Sequence, residues 1–256
     1  MTPKIPSEQL ENLIAAGLEE FYRRRLAMLE KLQLKKVMRR KNPYLFRALG
    51  IEVAAEIVQR LLQDFVSASD ETIFGDAFFE PIAREASGGK VSDARGVDFV
   101  LEKPKRYTPV ALKSGPNIFN ASQRKRQDDE FRELRSRLVK IHKQFDPLLA
   151  YAYGKRIREA SGKWIFRELS GQVFWTEITG DPDFYLKIIR LMEDIPARHR
   201  KQHQEEWAKA VNRFTAEFIT LFCFKDGRID WEKLVKFVSE GNVATTLAKA
   251  EIRKKT

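Results

Sequence analysis

The hydrophobic positions at both ends of the chain repeat every three or four residues, which is the spacing of an amphipathic helix. This repeat predicts helices over residues 7–42, 51–65 and 69–89. The helical repeat returns after Pro182, and a final helix is predicted to begin at Asp230. Helical layers are therefore expected before and after the middle of the chain.

The middle of the chain has the short apolar runs of β-strands. Two of these runs, residues 96–102 and 107–113, lie on either side of a turn-like segment and predict a hairpin. A polar helix over residues 121–143 then leads to the continuous apolar run 147–153. Strand, helix and apolar strand in this order predict a βαβ crossover, whose parallel strands are buried on both faces. Two further short strands are predicted over residues 163–167 and 172–175.

The charge of the chain points to a negatively charged partner. The 256 residues include 47 Lys and Arg against 36 Asp and Glu, which gives a net charge of +11. The isoelectric point is about 9.7. This excess favours binding to a polyanion, although a generally basic, soluble surface explains the same numbers.

The cysteine and histidine content argues against several kinds of site. The single cysteine, Cys223, excludes an intramolecular disulfide and a cysteine-based metal cluster. Three histidines without an HExxH pattern argue against a zinc hydrolase. No apolar run approaches the ~18 residues of a membrane span, and the first residues lack a signal-peptide core. We therefore expect a soluble, cytoplasmic protein that does not associate with membranes.

The predicted hairpin is the most informative stretch about chemistry. Asp98 lies on its first strand and Lys113 ends the second, so the two side chains can converge on one phosphate. Hydrolysis of a phosphodiester uses a hard divalent cation held by oxygen ligands, and it benefits from an ammonium group nearby. The spacing resembles that of the PD-(D/E)xK nucleases, whose core runs helix, hairpin, helix, strand. The predicted elements come in that order.

One acid of that motif is missing from this chain. The motif has Asp or Glu two positions before the lysine, where this chain has Ala111. Glu80, on the predicted helix before the hairpin, is the favoured substitute, and Glu130 on the helix after it is the alternative. A backbone carbonyl near Ala111 is expected to supply part of a metal's coordination.

Longer stretches are similar to one group of known enzymes. The stretches are Lys113-Ser-Gly-Pro-Asn117 with Asn120-Ala-Ser-Gln123, Asp70-Glu-Thr-Ile-Phe-Gly-Asp76 with Phe79-Glu-Pro81, Gly171-Gln-Val-Phe-Trp175, and Gly180-Asp-Pro-Asp-Phe-Tyr185. They resemble the type II restriction endonucleases of the PmeII-like group, and the similarity spans residues 43–240. In that group the lysine triplet also tends to lack the acid.

The resemblance implies a Mg²⁺-dependent enzyme that cuts double-stranded DNA. Its catalytic residues would be Asp98, Lys113, Glu80 and Gln123, and its metal ligands would be Asp98, Glu80 and Ala111. Small polar and basic residues after Lys113 are expected to bind DNA: Ser114, Asn117, Asn120, Ser122 and Lys125. A double-strand cut implies a homodimer, and restriction implies a cognate DNA methyltransferase that protects the host.

Two other functions stay open on the same fold. One is a structure-selective or repair nuclease, because fold alone does not determine function. The other is a nucleic-acid-binding module that lost catalysis together with the acid at Ala111. Metal-dependent cleavage into discrete fragments distinguishes the three.

The expected fold class is α/β, with a PD-(D/E)xK-type core in which helices flank a small mixed β-sheet. Helical extensions are expected at both the N- and the C-terminal side. The chain is predicted to be a single domain, residues 1–256. Within it we predict a helical N-terminal layer over 1–68, a nuclease core over 69–176 and a helical C-terminal layer over 177–256.

Overall fold

The computed structural model describes residues 5–116, 120–138 and 142–241 of the chain. Over these residues it contains ten α-helices, one π-helical segment and seven β-strands. The helices are α1 (Ser7–Lys31), α2 (Leu34–Met38), α3 (Pro43–Ala48), α4 (Ala54–Phe74), α5 (Glu80–Ser87), α6 (Ala121–Arg137), α7 (Gly171–Thr179), α8 (Phe184–Met192), α9 (Ile195–Phe222) and α10 (Trp231–Ser239). The π-helical segment is Gly75–Phe79, and the strands are β1 (Lys90–Val91), β2 (Phe99–Glu102), β3 (Arg106–Lys113), β4 (Gln144–Phe145), β5 (Leu148–Tyr151), β6 (Ile157–Arg158) and β7 (Arg167–Ser170). Across the described ranges, no helix combines the length and the apolar character that a membrane span requires.

The chain divides into two compact units. The first unit comprises the chain up to Arg25 together with Ala68–Lys201. The second unit comprises Leu26–Ser67 together with the chain from Gln202 onwards. The predicted boundary after residue 68 lies next to a change of unit, whereas the one after residue 176 lies inside the first unit. The single-domain organisation stays a prediction.

The strands form one mixed sheet in the first unit, in the order β1-β2-β3-β5-β7-β6 with β4 beside β3. β2 and β3 pair antiparallel with Phe99 opposite Val110, which confirms the predicted hairpin. β3 and β5 pair parallel with Lys113 beside Tyr151, and α6 lies between them in the chain. This arrangement confirms the predicted βαβ crossover, and the α/β fold class with a small mixed sheet is confirmed with it.

Helices cover both faces of the sheet. On one face, Val110 and Leu112 pack with buried apolar residues of α1, α5, α7 and α8. On the other face, Ala111 packs with Phe131 of α6. Successive side chains of a strand point to opposite faces, so Lys113 lies on the same face as Ala111. The strand that ends at Lys113 is therefore buried on both sides and held in a fixed register.

The second unit is helical. Its core joins apolar residues of α2, α3, α4, α9 and α10. Phe46, Leu61 and Phe218 are among its buried members. The Arg213 guanidinium donates a hydrogen bond to the Leu29 carbonyl at 3.1 Å, which ties α9 to α1 within this unit.

Several predicted helix boundaries are wrong. The helix predicted over residues 7–42 is two helices, α1 and α2, and a third helix, α3, begins after it at Pro43. The helices predicted over 51–65 and 69–89 are parts of α4 and α5, which the π-helical segment joins. The apolar stripe continues from one of these helices to the next, so hydrophobic spacing alone does not mark where each one ends.

The two strands predicted after β5 are also wrong. Residues 172–175 lie in α7, whose Phe174, Trp175 and Ile178 are buried. The strand predicted over 163–167 is β7 instead, which begins at Arg167. A short apolar run fits a buried helix as well as a buried strand, and residues 172–175 form the helix.

Candidate active site

The structure brings Asp98 and Lys113 together at one end of the hairpin. Asp98 directly precedes β2, and its backbone N–H donates to the Val110 carbonyl at 2.9 Å. Its carboxylate oxygen Oδ2 accepts a hydrogen bond from the Leu112 N–H at 2.6 Å. The Lys113 ammonium lies 3.6 Å from the same oxygen. The predicted pairing of an acid and a lysine across the hairpin is therefore present.

Two further carboxylates, of Asp76 and Glu80, lie near this pair. Burial raises the pKa of Glu80 to about 7, and repulsion from Asp98 and Asp76 adds to the rise. Burial also raises the pKa of Asp76, where the charge of Asp98 acts in the same direction and that of Lys113 opposes it. Asp76, Glu80, Asp98 and Lys113 are called the candidate active site below.

The π-helical segment brings the two helical acids to the sheet. Asp76 lies within it, and Glu80 is the first residue of α5 that follows. A Cβ at Gly75 would lie 3.0 Å from Ser114 Oγ, so the helix approaches the end of β3 closely. Ser114 Oγ also donates to the Glu71 carbonyl at 2.8 Å. π-helical turns inside α-helices are frequent at functional sites, and this one contains Asp76 and ends directly before Glu80.

Asp76 was not among the predicted site residues. Asp76 and Glu80 are four residues apart in Gly75-Asp-Ala-Phe-Phe-Glu80, a spacing that puts two side chains on one side of a helix. That spacing is the signal that could have identified Asp76 from the sequence.

The donor atoms of the site suit Mg²⁺ in kind. Carboxylate oxygens are the ligands that Mg²⁺ prefers, and mutually repelling carboxylates are stabilised by a cation. Among the described residues, no group of three or more Asp, Glu, His or Cys side chains is placed to hold a metal ion. Mg²⁺ commonly uses only one or two carboxylates and completes its shell with water and substrate phosphate. Asp98 and Glu80 fit that pattern.

Glu130, the alternative to Glu80, already has two cationic partners. Its Oε1 lies 3.2 Å from the Nε of Arg95 and 3.1 Å from the Nε of Arg126. Two guanidinium groups therefore neutralise Glu130. Glu80, in contrast, is electrostatically coupled to Asp98 and Lys113. The choice of Glu80 as the substitute acid stays a prediction.

Gln123 and Asn120 form a reciprocal cap at the start of α6. Asn120 Oδ1 accepts from the Gln123 N–H at 2.9 Å, and Gln123 Oε1 accepts from the Asn120 N–H at 2.8 Å. Two helix N–H groups are satisfied in this way. The described contacts of Gln123 do not join it to Asp98 or Lys113, so its catalytic assignment has no support in this geometry.

The other predicted site residues lie in different surroundings. Ser114 is buried and its hydroxyl proton is used by the Glu71 carbonyl, so the predicted phosphate contact does not fit this residue. Ser122 and Lys125 are exposed in the first turns of α6. Ala111 is fully buried beside Leu149 of β5. Asn117 lies outside the described residues.

Comparison with known families identifies the class of protein. A family model described as type II restriction endonuclease EcoO109I matches residues 8–201. The chain belongs to this family of restriction endonucleases. The match includes all four residues of the candidate active site, and it agrees with a PD-(D/E)xK-type core. No curated protein matches the chain.

Membership of this restriction endonuclease family confirms the predicted class of DNA nuclease. The sequence motifs pointed to a type II restriction endonuclease, and the family model supports that level of the prediction.

Proposed function

We propose that this chain is a Mg²⁺-dependent type II restriction endonuclease that hydrolyses phosphodiester bonds of double-stranded DNA at a specific sequence. The observation that carries the proposal is the contact between Lys113 and Asp98 at the end of β3. Glu80 and Asp76 supply the further carboxylates that the lysine triplet lacks. Membership of a restriction endonuclease family supports DNA as the substrate.

The side chains of the site have distinct functions in this proposal. Asp98 and Glu80 would hold Mg²⁺, which when bound acts as a Lewis acid on the phosphate and lowers the pKa of water. Asp98 is fixed in place because the Leu112 N–H binds its Oδ2. Lys113 places a positive charge beside the phosphate that is attacked, where negative charge develops during hydrolysis. Its contact with Asp98 keeps the ammonium directed into the site.

The biological setting we propose is restriction of foreign DNA in the cytoplasm. Two active sites are needed to cut both strands, so a homodimer is the simplest arrangement. A DNA methyltransferase of the same specificity would protect the host's own DNA. The narrower resemblance to the PmeII-like group stays a prediction.

The test is digestion of a long, unmethylated duplex with Mg²⁺. Wild-type protein should give discrete fragments, and EDTA should abolish them. Lys113→Ala should reduce the cleavage rate by at least ~10²-fold, the scale of losing one preorganised charge at a reaction centre.

Lys143→Ala is the matched control for Lys113→Ala. The Lys143 ammonium pairs at 2.7 Å with Glu102, the last residue of β2. Lys113 pairs in the same way with Asp98, which directly precedes the first residue of β2. The two acids are four positions apart, roughly 13 Å along a strand. The control variant should cleave at the wild-type rate.

Three other outcomes would contradict the proposal. A continuous smear of products would indicate a nuclease without sequence specificity. Cleavage confined to branched or damaged substrates would indicate a repair enzyme. Salt-sensitive DNA binding with no cleavage would indicate a binding module.

A further inference from the structure

A second charged cluster lies on the first unit's sheet, around the carboxylate of Glu168 in β7. Glu168 has no solvent-exposed surface. Its Oε2 accepts a hydrogen bond from the Tyr151 hydroxyl at 2.9 Å and lies 3.4 Å from Arg156 Nη1. Its Oε1 lies 3.5 Å from Arg158 Nη1 and 3.5 Å from Arg124 Nε. Three guanidinium groups, one from α6 and two from the segment that ends in β6, therefore meet one buried carboxylate.

The cluster carries more positive charge than the carboxylate neutralises. Arg124, Arg156 and Arg158, called the arginine cluster below, contribute three positive charges against the single negative charge of Glu168. A guanidinium has five N–H donors. The contacts with Glu168 use one nitrogen of each guanidinium, Arg124 and Arg156 also interact with Tyr151, and Arg124 Nε makes no hydrogen bond among the described residues. Donors and charge thus remain for an anion.

The arginine side chains reach solvent although their anchor does not. Their exposed fractions are 17% for Arg124, 29% for Arg156 and 53% for Arg158. Arg156 is further fixed by donating to the Pro116 carbonyl at 3.0 Å. A fully buried carboxylate with partly exposed cations holds the guanidinium groups in position before any ligand arrives, and this reduces the entropy lost on binding.

The sheet register places this cluster beside the candidate active site. Lys113 pairs with Tyr151, and Tyr151 pairs with Ser170, two residues after Glu168. Paired residues of neighbouring strands share a face, as do residues two apart in one strand, so Lys113 and Glu168 lie on the same face. Two strand spacings separate β3 from β7, which is roughly 10 Å. A DNA strand advances ~3.4 Å along the helix axis per nucleotide, so this gap equals the axial rise of about three nucleotides.

We propose that the arginine cluster, anchored by Glu168, is a binding site for a backbone phosphate of the DNA, a few nucleotides from the bond that is cut. Arginine forks suit this ligand because their geometry matches two phosphate oxygens at once. The inference rests on the proposed function, since it assumes that DNA lies across the end of β3. It adds a contact that positions the backbone and reads no base.

The test measures how DNA affinity depends on salt. A mixed-sequence duplex is sufficient as the probe, because a phosphate contact does not depend on the base sequence. All proteins carry Lys113→Ala so that the duplex stays intact. The double substitution Arg124→Gln with Arg158→Gln should lower the slope of log affinity against log salt by about 0.9, the loss of one phosphate contact. The affinity itself should fall roughly ten- to hundredfold at low salt, the loss of a hydrogen bond to a charged group.

Two comparison proteins show whether charge at this site is the cause. Replacing Arg124 and Arg158 by lysine keeps the charge and should keep the slope. Arg137→Gln removes an arginine from the same helix, thirteen residues after Arg124 and ~20 Å further along it. Arg137 pairs with Glu133, and this variant should leave both slope and affinity unchanged.

An unchanged slope in a folded double variant would overturn the inference. Should the double variant fail to fold, Arg158→Gln alone decides, because Arg158 is the most exposed of the three. The proposed function fails separately: wild-type protein that does not cleave while the slope still falls keeps the phosphate site and removes the nuclease. Discrete cleavage with an unchanged slope removes only the arginine cluster.

Discussion

At the residue scale, folding brings the carboxylates of the candidate active site near enough to one another to raise the pKa values of Asp76 and Glu80. Asp98 is fixed by a backbone N–H, and Glu80 and Asp76 come from the helix opposite. Burial raises the pKa of Glu80 to about 7, and repulsion from Asp98 and Asp76 adds to the rise. Without a cation, Glu80 of the folded protein is therefore expected to be mostly protonated below about pH 7.

Glu80 makes stability depend on pH when the protein is free of metal. In the unfolded chain Glu80 loses its proton near its ordinary pKa of 4.5, whereas the folded protein keeps it up to about pH 7. The folded state thus binds more protons between these values, and its stability falls as pH rises from 4.5 to 7. Glu80→Gln should remove this fall and stabilise the protein at pH 8 by about 1 kcal/mol, a discounted value because Glu80 is partly exposed.

Urea denaturation in EDTA at pH 4.5 and pH 8 measures this effect. Glu85→Gln, on the same helix, is the control and should leave the pH dependence unchanged. If Glu80→Gln gains no stability at pH 8 relative to pH 4.5, then burial and the neighbouring acids do not raise the pKa of Glu80.

Asp98 has two functions that different substitutions separate. Asp98→Asn keeps an oxygen that can accept the Leu112 N–H, so stability should change little while cleavage falls by at least ~10²-fold. Asp98→Ala also leaves that N–H without its acceptor, which should cost a further ~1–3 kcal/mol of unfolding free energy. Cleavage rates and denaturation curves of both variants check this. Equal stability of the two variants would show that the hydrogen bond contributes little.

The sequence could predict the residues of the site that are set by local spacing. Asp98 and Lys113 belong to one hairpin, so their proximity follows from strand pairing. Asp76 was missed because its approach to Asp98 depends on how the π-helical segment docks on β3. The role of Gln123 stays a prediction, and its reciprocal cap with Asn120 is a local contact that the sequence analysis did not predict.

At the scale of elements, α7 depends on one glycine. Gly171 begins α7 with a φ of +52°, a conformation that other residues adopt at a cost. A Cβ there would lie 2.5 Å from the Gly154 carbonyl oxygen, so β5 and β7 approach closely where they end.

Gly171→Ala should therefore destabilise the protein by about 1–3 kcal/mol, the usual cost of a strained backbone position. Gly162→Ala is the control, since a Cβ at Gly162 meets nothing within 4 Å. Thermal or urea unfolding of the two variants gives the comparison. Equal stability would mean that the segments that follow β5 and β7, at Gly154 and Gly171, can move apart at no cost in stability.

Periodicity predicted the elements well where burial is one-sided or the chain order is distinctive. The hairpin, the crossover through α6 and the final helix at Asp230 all follow from such patterns. Residues 172–175 were predicted wrongly as a strand, because a short run of apolar and aromatic residues suits a buried helix and a buried strand equally. The helix is selected by tertiary packing of Trp175, whose indole N–H donates to the Ala152 carbonyl at 2.9 Å.

At the scale of the whole molecule, the net charge of +11 suits a protein that holds a polyanion. The proposed homodimer predicts how one inactive subunit behaves. A mixed dimer of one wild-type subunit and one Lys113→Ala subunit should nick one strand, converting supercoiled plasmid to open circles. Linear product at the wild-type rate would show that one active site cuts both strands.

The place of Ala111 has a consequence for protein engineering. The motif position that usually carries an acid is occupied here by a fully buried methyl group packed with Phe131. The substitution Ala111→Glu, which would restore the acid of the motif, would force a carboxylate into apolar packing. This would cost several kcal/mol unless the carboxylate stayed protonated. If Glu80 supplies the second acid, as proposed, catalysis and the packing around Ala111 can be redesigned separately.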